Sequence, residues 1–303
     1  MLRRLHYVLV GLGLLWGMIG CQSNRVPATF PLPNGTPLPT MTFTPAATPT
    51  ATPEPLAIRV NGLAITQREF EAERARLRAA AESLGQTLDA RTERERLVNE
   101  LVDELLLAQA AFANGYKEDE AVLESKINEL KTKMGGEAGW QQWLTQNGYS
   151  ETDFRQALKR ALAAAWQRDR IIGAVPEAME QVHARQILTR DQGTAEAYYR
   201  QLQAGTDFDT LAFQVDPLTG GDLGWFPRGY MTRPDLEAAI FALEPGQYTS
   251  IIQTDLGFHI VKVIAREGQR PLAADARRVL QHQALEKWLN EQRQAATIEI
   301  LIP

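Results

Sequence analysis

The segment from Gly220 to Val263, which reads GGDLGWFPRGYMTRPDLEAAIFALEPGQYTSIIQTDLGFHIVKV, holds the residues best suited to chemistry. Thr254 and His259 offer a hydroxyl and an imidazole, which can hydrogen-bond to a bound group. A strand histidine alone is more often a core residue than a catalytic one. The flanking Gly-Phe-His-Ile and the upstream Gly-Gly-Asp-Leu-Gly nevertheless favour a place in a functional site.

Other classes of chemistry are disfavoured by the sequence. Gly220, Gly221 and Gly224 belong to no G-x-G-x-x-G or Gly-Lys-Ser/Thr motif, which argues against a phosphate site. Cys21 is the single cysteine, so a disulfide framework, a cysteine-rich metal site and a C-x-x-C redox motif are excluded. The formal charge of -5, without a basic arm, argues against nucleic-acid binding. We expect no cofactor and no metal.

Three predicted elements position Thr254 and His259. The glycines at 220–224 precede a strand, a short helix with one apolar side follows, and a closing strand carries His259. This order resembles the C-terminal half of parvulin-type (PpiC) peptidyl-prolyl isomerase domains. The similarity extends upstream to about Val182, where VHARQILT resembles the first strand of that family.

The resemblance implies a prolyl isomerase with a four-stranded antiparallel sheet. It assigns the catalytic positions to Thr254, His259, Gln186 and Asp216, and the pocket for the proline ring to Leu223, Met231, Leu236 and Phe241. Phe241 is expected to pack behind the others. For Asp216, a role in capping its own loop is the alternative to a role in the site.

Gln186 departs from the family pattern, which has histidine there. A glutamine amide both donates and accepts hydrogen bonds, so it can orient His259, but it does not titrate. His183 has the opposite side-chain parity and should face the other side of the sheet. We therefore expect an intact domain whose isomerase activity is reduced or lost.

The first 21 residues resemble a bacterial lipoprotein signal. Arg3 and Arg4 precede a short apolar run from Tyr7 to Gly20, which suits a signal-peptide core better than a membrane span. The run ends at Cys21 in a sequence similar to a lipobox, which predicts lipid on that cysteine. An uncleaved anchor or an incidental cysteine is the alternative.

A proline-rich segment follows Cys21. Nine of the sixteen prolines and eight threonines lie between Gln22 and Leu56, with only two charged residues. Such a composition cannot bury enough apolar surface to fold, so we expect an extended tether. O-glycans on the threonines are compatible with this composition.

Apolar residues at helical spacing predict a helical module after the tether. A strand at 58–62 precedes a helix capped at Thr66, and further helices end at Asn114-Gly115, Gly135-Gly136 and Asn147-Gly148. Their tryptophans are expected to pack in the core, with a groove for unfolded chains as the alternative. A helix from Pro271 to about Ala295 leads to a strand at 297–301, which we expect to pair with 57–61.

This order resembles the SurA-like and PrsA-like foldases of bacterial envelopes. The predicted class is α+β: signal peptide 1–20, lipidated cysteine and tether 21–56, helical chaperone module 57–178, inserted parvulin domain 179–268, and returning helix and strand 269–303. The resemblance implies a lipid-anchored extracytoplasmic isomerase and chaperone whose partners are unfolded exported proteins and the membrane. A non-catalytic holdase and an envelope assembly or adhesion lipoprotein are the alternatives.

Overall fold

The computed structural model describes residues 54–302 of the chain. The expected signal peptide, Cys21 and nearly all of the tether lie outside these residues. Within the described part, every helix is too short or too polar to cross a lipid bilayer. The chain forms two compact units: the first takes the described residues up to Leu105, Lys117–Ala161 and the end from Ala296, and the second takes Leu106–Tyr116 and Leu162–Ala295.

Two short strands followed by five helices form the N-terminal part of the described chain. The strands are β1 (Leu56–Val60) and β2 (Leu63–Thr66). The helices are α1 (Gln67–Ser83), α2 (Ala90–Ala113), α3 (Glu120–Lys133), α4 (Glu137–Gln146) and α5 (Glu151–Gly173). Each predicted helix of this part is present, and the Asn-Gly and Gly-Gly pairs follow helix ends as expected.

The local sequence around Thr66 determines where α1 begins. Thr66 is the N-cap, and its side chain accepts a hydrogen bond from the backbone N–H of Glu69, as its spacing predicts. The Glu69 carboxylate binds Arg160. The Thr66 half of the capping box is therefore formed, while the Glu69 carboxylate pairs with a cation from another helix.

A three-stranded sheet of order β2-β1-β7 accompanies these helices. The C-terminal strand β7 (Ile298–Ile300) pairs antiparallel with β1, with Arg59 opposite Glu299, so the pairing predicted for the two ends of the chain is confirmed. β2 was not predicted, because its four residues follow the Asn61-Gly62 turn directly and carry too short an alternating pattern. Trp140 is fully buried, as expected of a core residue, whereas Trp166 is 36% exposed and departs from that expectation.

The second unit contains a four-stranded antiparallel sheet of order β4-β3-β6-β5, which confirms the predicted class. Its strands are β3 (Ala178–Thr189), β4 (Asp222–Pro227), β5 (Ile252–Thr254) and β6 (Gly257–Pro271). Its helices are α6 (Gln192–Gln203), α7 (Phe208–Val215), α8 (Pro234–Phe241) and α9 (Ala274–Ala295). β3 begins before Val182, so the central β3–β6 pair is longer than predicted.

The alternation of side chains along β3 and β6 builds a separate core on each face of this sheet. On one face, Val182, Ala184, Val261 and Val263 pack against α8. On the other, Ile187 and Ile260 pack against α6 and α7. A third cluster joins the last part of α2 and the second half of α5 to α9, whose Leu285, Trp288 and Leu289 pack against it.

Candidate active site

The register of β3, β5 and β6 places three polar side chains on the sheet face that α8 covers. His259 lies opposite Leu188 of β3 and Ile252 of β5, and Gln186 lies opposite Val261, two residues along β6. Residues separated by two positions share a face, so Gln186 and His259 are diagonal neighbours across the strand pair. Thr254 ends β5, two residues after Ile252.

A row of hydrogen bonds joins these three side chains. His259 is 2% exposed; its Nδ1 lies 3.0 Å from Gln186 Oε1, and its Nε2 lies 2.8 Å from Thr254 Oγ1. The amide oxygen only accepts, so Nδ1 carries the proton and Nε2 accepts from the Thr254 hydroxyl. The structure thus brings together three of the four predicted catalytic positions, and Gln186 contacts His259 as its sequence position predicts.

Burial lowers the pKa of His259, and the Arg233 guanidinium lowers it further, against the opposing effect of Asp255. An imidazole with a lowered pKa is neutral at pH 7. The row is therefore uncharged, which agrees with the two hydrogen bonds that fix one tautomer.

Asp216, the fourth predicted catalytic residue, organises a loop. Its carboxylate accepts hydrogen bonds from the backbone N–H groups of Leu218, Thr219 and Gly221 and from the Thr219 hydroxyl. These bonds, with that of Thr219 first, lower the pKa of Asp216 to about 2. The contacts are those of the loop-capping role that the sequence left as an alternative.

The same loop is hydrogen-bonded to the backbone of β3. Gly221 O accepts a hydrogen bond of 2.9 Å from Gln186 N. Gly221 has φ +68, and a Cβ there would lie 2.0 Å from Gln186 O. A glycine is required by both the conformation and the close approach, so Asp216 contributes to the position of Gln186 through Gly221.

The predicted pocket residues divide into two layers. Leu223 and Met231 are partly buried and pack against the cluster that contains α8. Leu236 and Phe241 are 2% and 3% exposed and belong to the buried cluster itself. Phe241 packs edge-to-face on Phe226, with ring centroids 6.0 Å apart, as expected for a residue behind the pocket.

His183 lies apart from this row. Its ring stacks on Trp225, with centroids 5.5 Å apart, and its Nε2 lies 2.8 Å from Asp222 Oδ1. It occupies the opposite face of β3 from Gln186, as its parity predicts, and it does not replace the histidine that Gln186 displaces.

The sequence pattern gives no indication of Arg233 and Asp255, which the structure adds to the site. Arg233 Nε and Nη2 form a bidentate ion pair with the two oxygens of Asp255, both at 2.8 Å, and both charges act on His259. They lie 22 positions apart in two loops, so no spacing pattern links them. Residues 54–302 contain no cluster of three or more His, Cys, Asp or Glu side chains placed to hold a metal ion.

Comparison with known families identifies the sheet that carries the row. A family model described as PPIC-type PPIASE domain matches residues 171–265. The chain contains a parvulin-type isomerase domain. A second model, described as SurA-like N-terminal domain, matches residues 41–167. The helical part that precedes the isomerase domain is therefore SurA-like, as predicted.

Relatives of the chain are named foldases and chaperones. The Foldase protein PrsA of Caldanaerobacter subterraneus is 43% identical over 91 residues, 28% of this chain and 29% of that protein. The Foldase protein PrsA of Geobacillus sp. is 28% identical over 63% of this chain and 75% of its own length. The Chaperone SurA of Burkholderia thailandensis is 34% identical over 41% of this chain and 32% of its own length. The chain thus spans about a third of the first and third of these relatives and three quarters of the second.

Proposed function

We propose that the protein is an extracytoplasmic foldase that isomerises X-Pro bonds of exported proteins and binds their unfolded segments. The partly buried row Thr254–His259–Gln186, beside the apolar Leu223 and Met231, is the observation that carries this proposal. The isomerase domain, the SurA-like domain and the relatives named foldase and chaperone support it.

The reaction makes modest chemical demands. Rotation about a peptide bond faces a barrier of about 18–20 kcal/mol from its partial double-bond character, and no covalent bond breaks. A catalyst has to bind the twisted imide more tightly than the planar one. An apolar pocket that removes water from the imide, with a few fixed polar groups, meets that demand.

The described residues divide these tasks. Met231 and Leu223 provide apolar surface for the proline ring, above the buried Leu236 and Phe241. Thr254 and Gln186 occupy both nitrogens of His259 and hold the ring in one tautomer. The amide nitrogen of Gln186 is a hydrogen-bond donor, whereas neutral His259 has one N–H proton, which it donates to Gln186 Oε1.

A direct assay of cis/trans exchange tests the proposal. Turnover of a proline tetrapeptide is expected to fall at least about tenfold in His259→Ala and in Met231→Ala, which is a loss of about 1.4 kcal/mol in transition-state binding. His183→Ala is the matched control, since this histidine lies on the opposite face of the sheet. If the wild-type protein gave only the uncatalysed rate, the enzymatic part of the proposal would be wrong.

A second candidate is a holdase whose isomerase domain binds chains without catalysis. Gln186 favours it, because the family pattern has a histidine at this position and an amide, unlike an imidazole, does not titrate. Gln186→His is the informative substitution. A large gain in turnover would identify Gln186 as the cause of weak activity. Suppression of aggregation by the wild-type protein without any turnover would favour the holdase.

Membrane attachment through Cys21 is part of the proposal and concerns residues outside the described part. Cys21→Ser is expected to leave the precursor uncleaved or to release the protein from the detergent-phase fraction. The measurement is the mass of the mature protein together with its partition into detergent. An unchanged mass and partition in the variant would contradict lipidation.

A further inference from the structure

A surface groove extends beyond the isomerase domain that the family model delimits. Tyr230, Met231, Thr232 and Arg233 form one side, and Val279 of α9 forms the other. The groove has a volume of about 380 Å³, within the range of roughly 300–1,000 Å³ typical of ligand pockets. Val279 lies after residue 265, so α9 gives the isomerase domain a wall that the domain itself does not encode.

Two hydrogen bonds fix this wall. The Tyr230 hydroxyl lies 3.0 Å from Asp275 Oδ2, and Gln283 Nε2 donates to Gly229 O at 2.7 Å. Gly229 has φ +83, and a Cβ there would lie 3.2 Å from Leu280 Cδ2, so α9 packs closely on the loop. The two sides of the groove are held before any ligand arrives, which lowers the entropic cost of binding.

The groove is continuous with the candidate active site. Met231 belongs to the groove and also packs against the cluster that lies under the predicted proline pocket. Arg233 lines the groove and influences His259 electrostatically. A chain whose proline lies at Met231 therefore has its neighbouring residues at this groove.

The chemistry of the groove selects its occupant. Met231, Val279 and the Tyr230 ring offer an apolar surface, and Arg233 offers a cation. Asp255, the partner of Arg233, has a side chain that is 74% exposed, whereas that of Arg233 is 28% exposed. The Asp255 end of this pair faces solvent, so a carboxylate from a ligand can compete with Asp255 for the guanidinium.

We propose that this groove binds the client residues next to the proline, and that it prefers an apolar side chain accompanied by an acidic one. The proposal names the substrate class of the isomerase site and rests on the proposed function. The occupant is a segment of an unfolded client. The charge of Arg233 and the continuity through Met231 indicate this occupant.

Binding of labelled peptides to the full chain tests the preference. The probes are decapeptides with one proline flanked on both sides by Leu-Glu, by Leu-Gln or by Ala-Gln. Leu-Glu is expected to bind about two- to fivefold more tightly than Leu-Gln at low salt, the range of an exposed ion pair. Leu-Gln should bind more tightly than Ala-Gln because of its apolar surface.

Single substitutions assign these preferences to residues. Arg233→Gln is expected to abolish the difference between Leu-Glu and Leu-Gln, whereas Asp255→Asn should enlarge it by removing the competing carboxylate. Val279→Glu is expected to weaken Leu-Gln binding more than Ala-Gln binding. Lys287→Gln, an exposed cation on the same helix, is the matched control and should leave the ratios unchanged.

The outcomes separate the groove from the proposed function. Equal affinities for the three peptides, or ratios that respond to Lys287→Gln as much as to Arg233→Gln, would overturn the groove proposal even if the protein turns over a tetrapeptide. The expected ratios in a protein without turnover would support the groove and reject catalysis.

Discussion

The two units of the chain bury polar side chains in different ways. The second unit holds the neutral row Thr254–His259–Gln186. The first unit holds a charged cluster in which Arg160 of α5 binds Glu104 of α2 and Glu69 of α1. Arg160 Nε lies 2.7 Å from Glu104 Oε1, and Glu104 is 5% exposed.

The pKa shifts follow from this difference. Burial raises the pKa of Glu69, and the nearby Arg160 opposes the rise. Burial would lower the pKa of Arg160, but its ion pairs with Glu104 and Glu69 outweigh it and raise the pKa. In the neutral row burial acts without a directly bound counter-charge and keeps His259 uncharged.

The charged cluster and the neutral row are suited to different tasks. A buried charge requires its partners, so the charged cluster fixes how three helices pack. A neutral row loses less stability when one hydrogen-bond partner is replaced. It can also exchange such a partner for a group of the substrate. We therefore expect substitutions in the charged cluster to affect stability and substitutions in the neutral row to affect binding and turnover.

The largest expected effect is that of Arg160→Met. It leaves two largely buried carboxylates without their shared guanidinium, which costs about 3–5 kcal/mol in the free energy of unfolding. Urea unfolding measures the change. Arg91→Met is the control, because Arg91 pairs with Glu95 on the surface and has a side chain that is 86% exposed. A similar loss in both variants would contradict the role of burial.

The next effect concerns the backbone that supports the neutral row. Gly221→Ala combines a left-handed conformation with a Cβ 2.0 Å from Gln186 O, and we expect a loss of roughly 2–4 kcal/mol in unfolding free energy. Gly224→Ala is the matched control: its φ is +66, and nothing lies within 4 Å of its Cβ. It should lose only the conformational part, roughly 1–2 kcal/mol. Equal losses would show that the approach to Gln186 O is not tight.

The sequence predicts the neutral row much better than the charged cluster. Strand alternation places Gln186 and His259 on one face and His183 on the other, so the row follows from parity and the family pattern. The ends of α2, α3 and α4 follow from Asn-Gly and Gly-Gly pairs, because the glycines of these pairs adopt positive φ.

The charged cluster could not be predicted in the same way. Glu69, Glu104 and Arg160 belong to helices with many charged residues, and most such residues face solvent. Glu69 also fits a capping box, and this local interpretation gave no indication of its distant partner. The Arg233–Asp255 pair and the wall at Val279 depend on loop and helix packing, which periodicity does not encode.

A smaller effect tests the local signal that the sequence did predict. Thr66→Ala removes the acceptor for the Glu69 N–H at the start of α1 and is expected to cost about 1 kcal/mol in unfolding free energy. Thr66→Ser keeps the hydroxyl and should stay close to wild type. A full loss in the serine variant would assign the effect to packing of the methyl group instead of the cap.

The smallest effect separates the two regions by their response to acid. The pKa of His259 is lowered from 6.5, so below that pH the unfolded chain binds more protons at this position than the folded chain, and acid destabilises the isomerase domain. The pKa of Glu69 is raised from 4.5, so above that pH the folded chain binds more protons there, and acid stabilises the first unit. Hydrogen exchange of β6 and α1 amides between pH 7.5 and 5, corrected for intrinsic rates, should show opposite trends.

Two substitutions assign these trends to their groups. His259→Gln should flatten the acid response of β6 and leave that of α1, and Glu69→Gln should do the reverse. Arg233→Gln adds a finer test, because the guanidinium helps to lower the pKa of His259. Its removal should make the exchange of β6 amides less sensitive to acid. Parallel trends in β6 and α1 that survive both substitutions would mean that other groups control the response, and the contrast between a neutral and a charged cluster would lose its electrostatic basis.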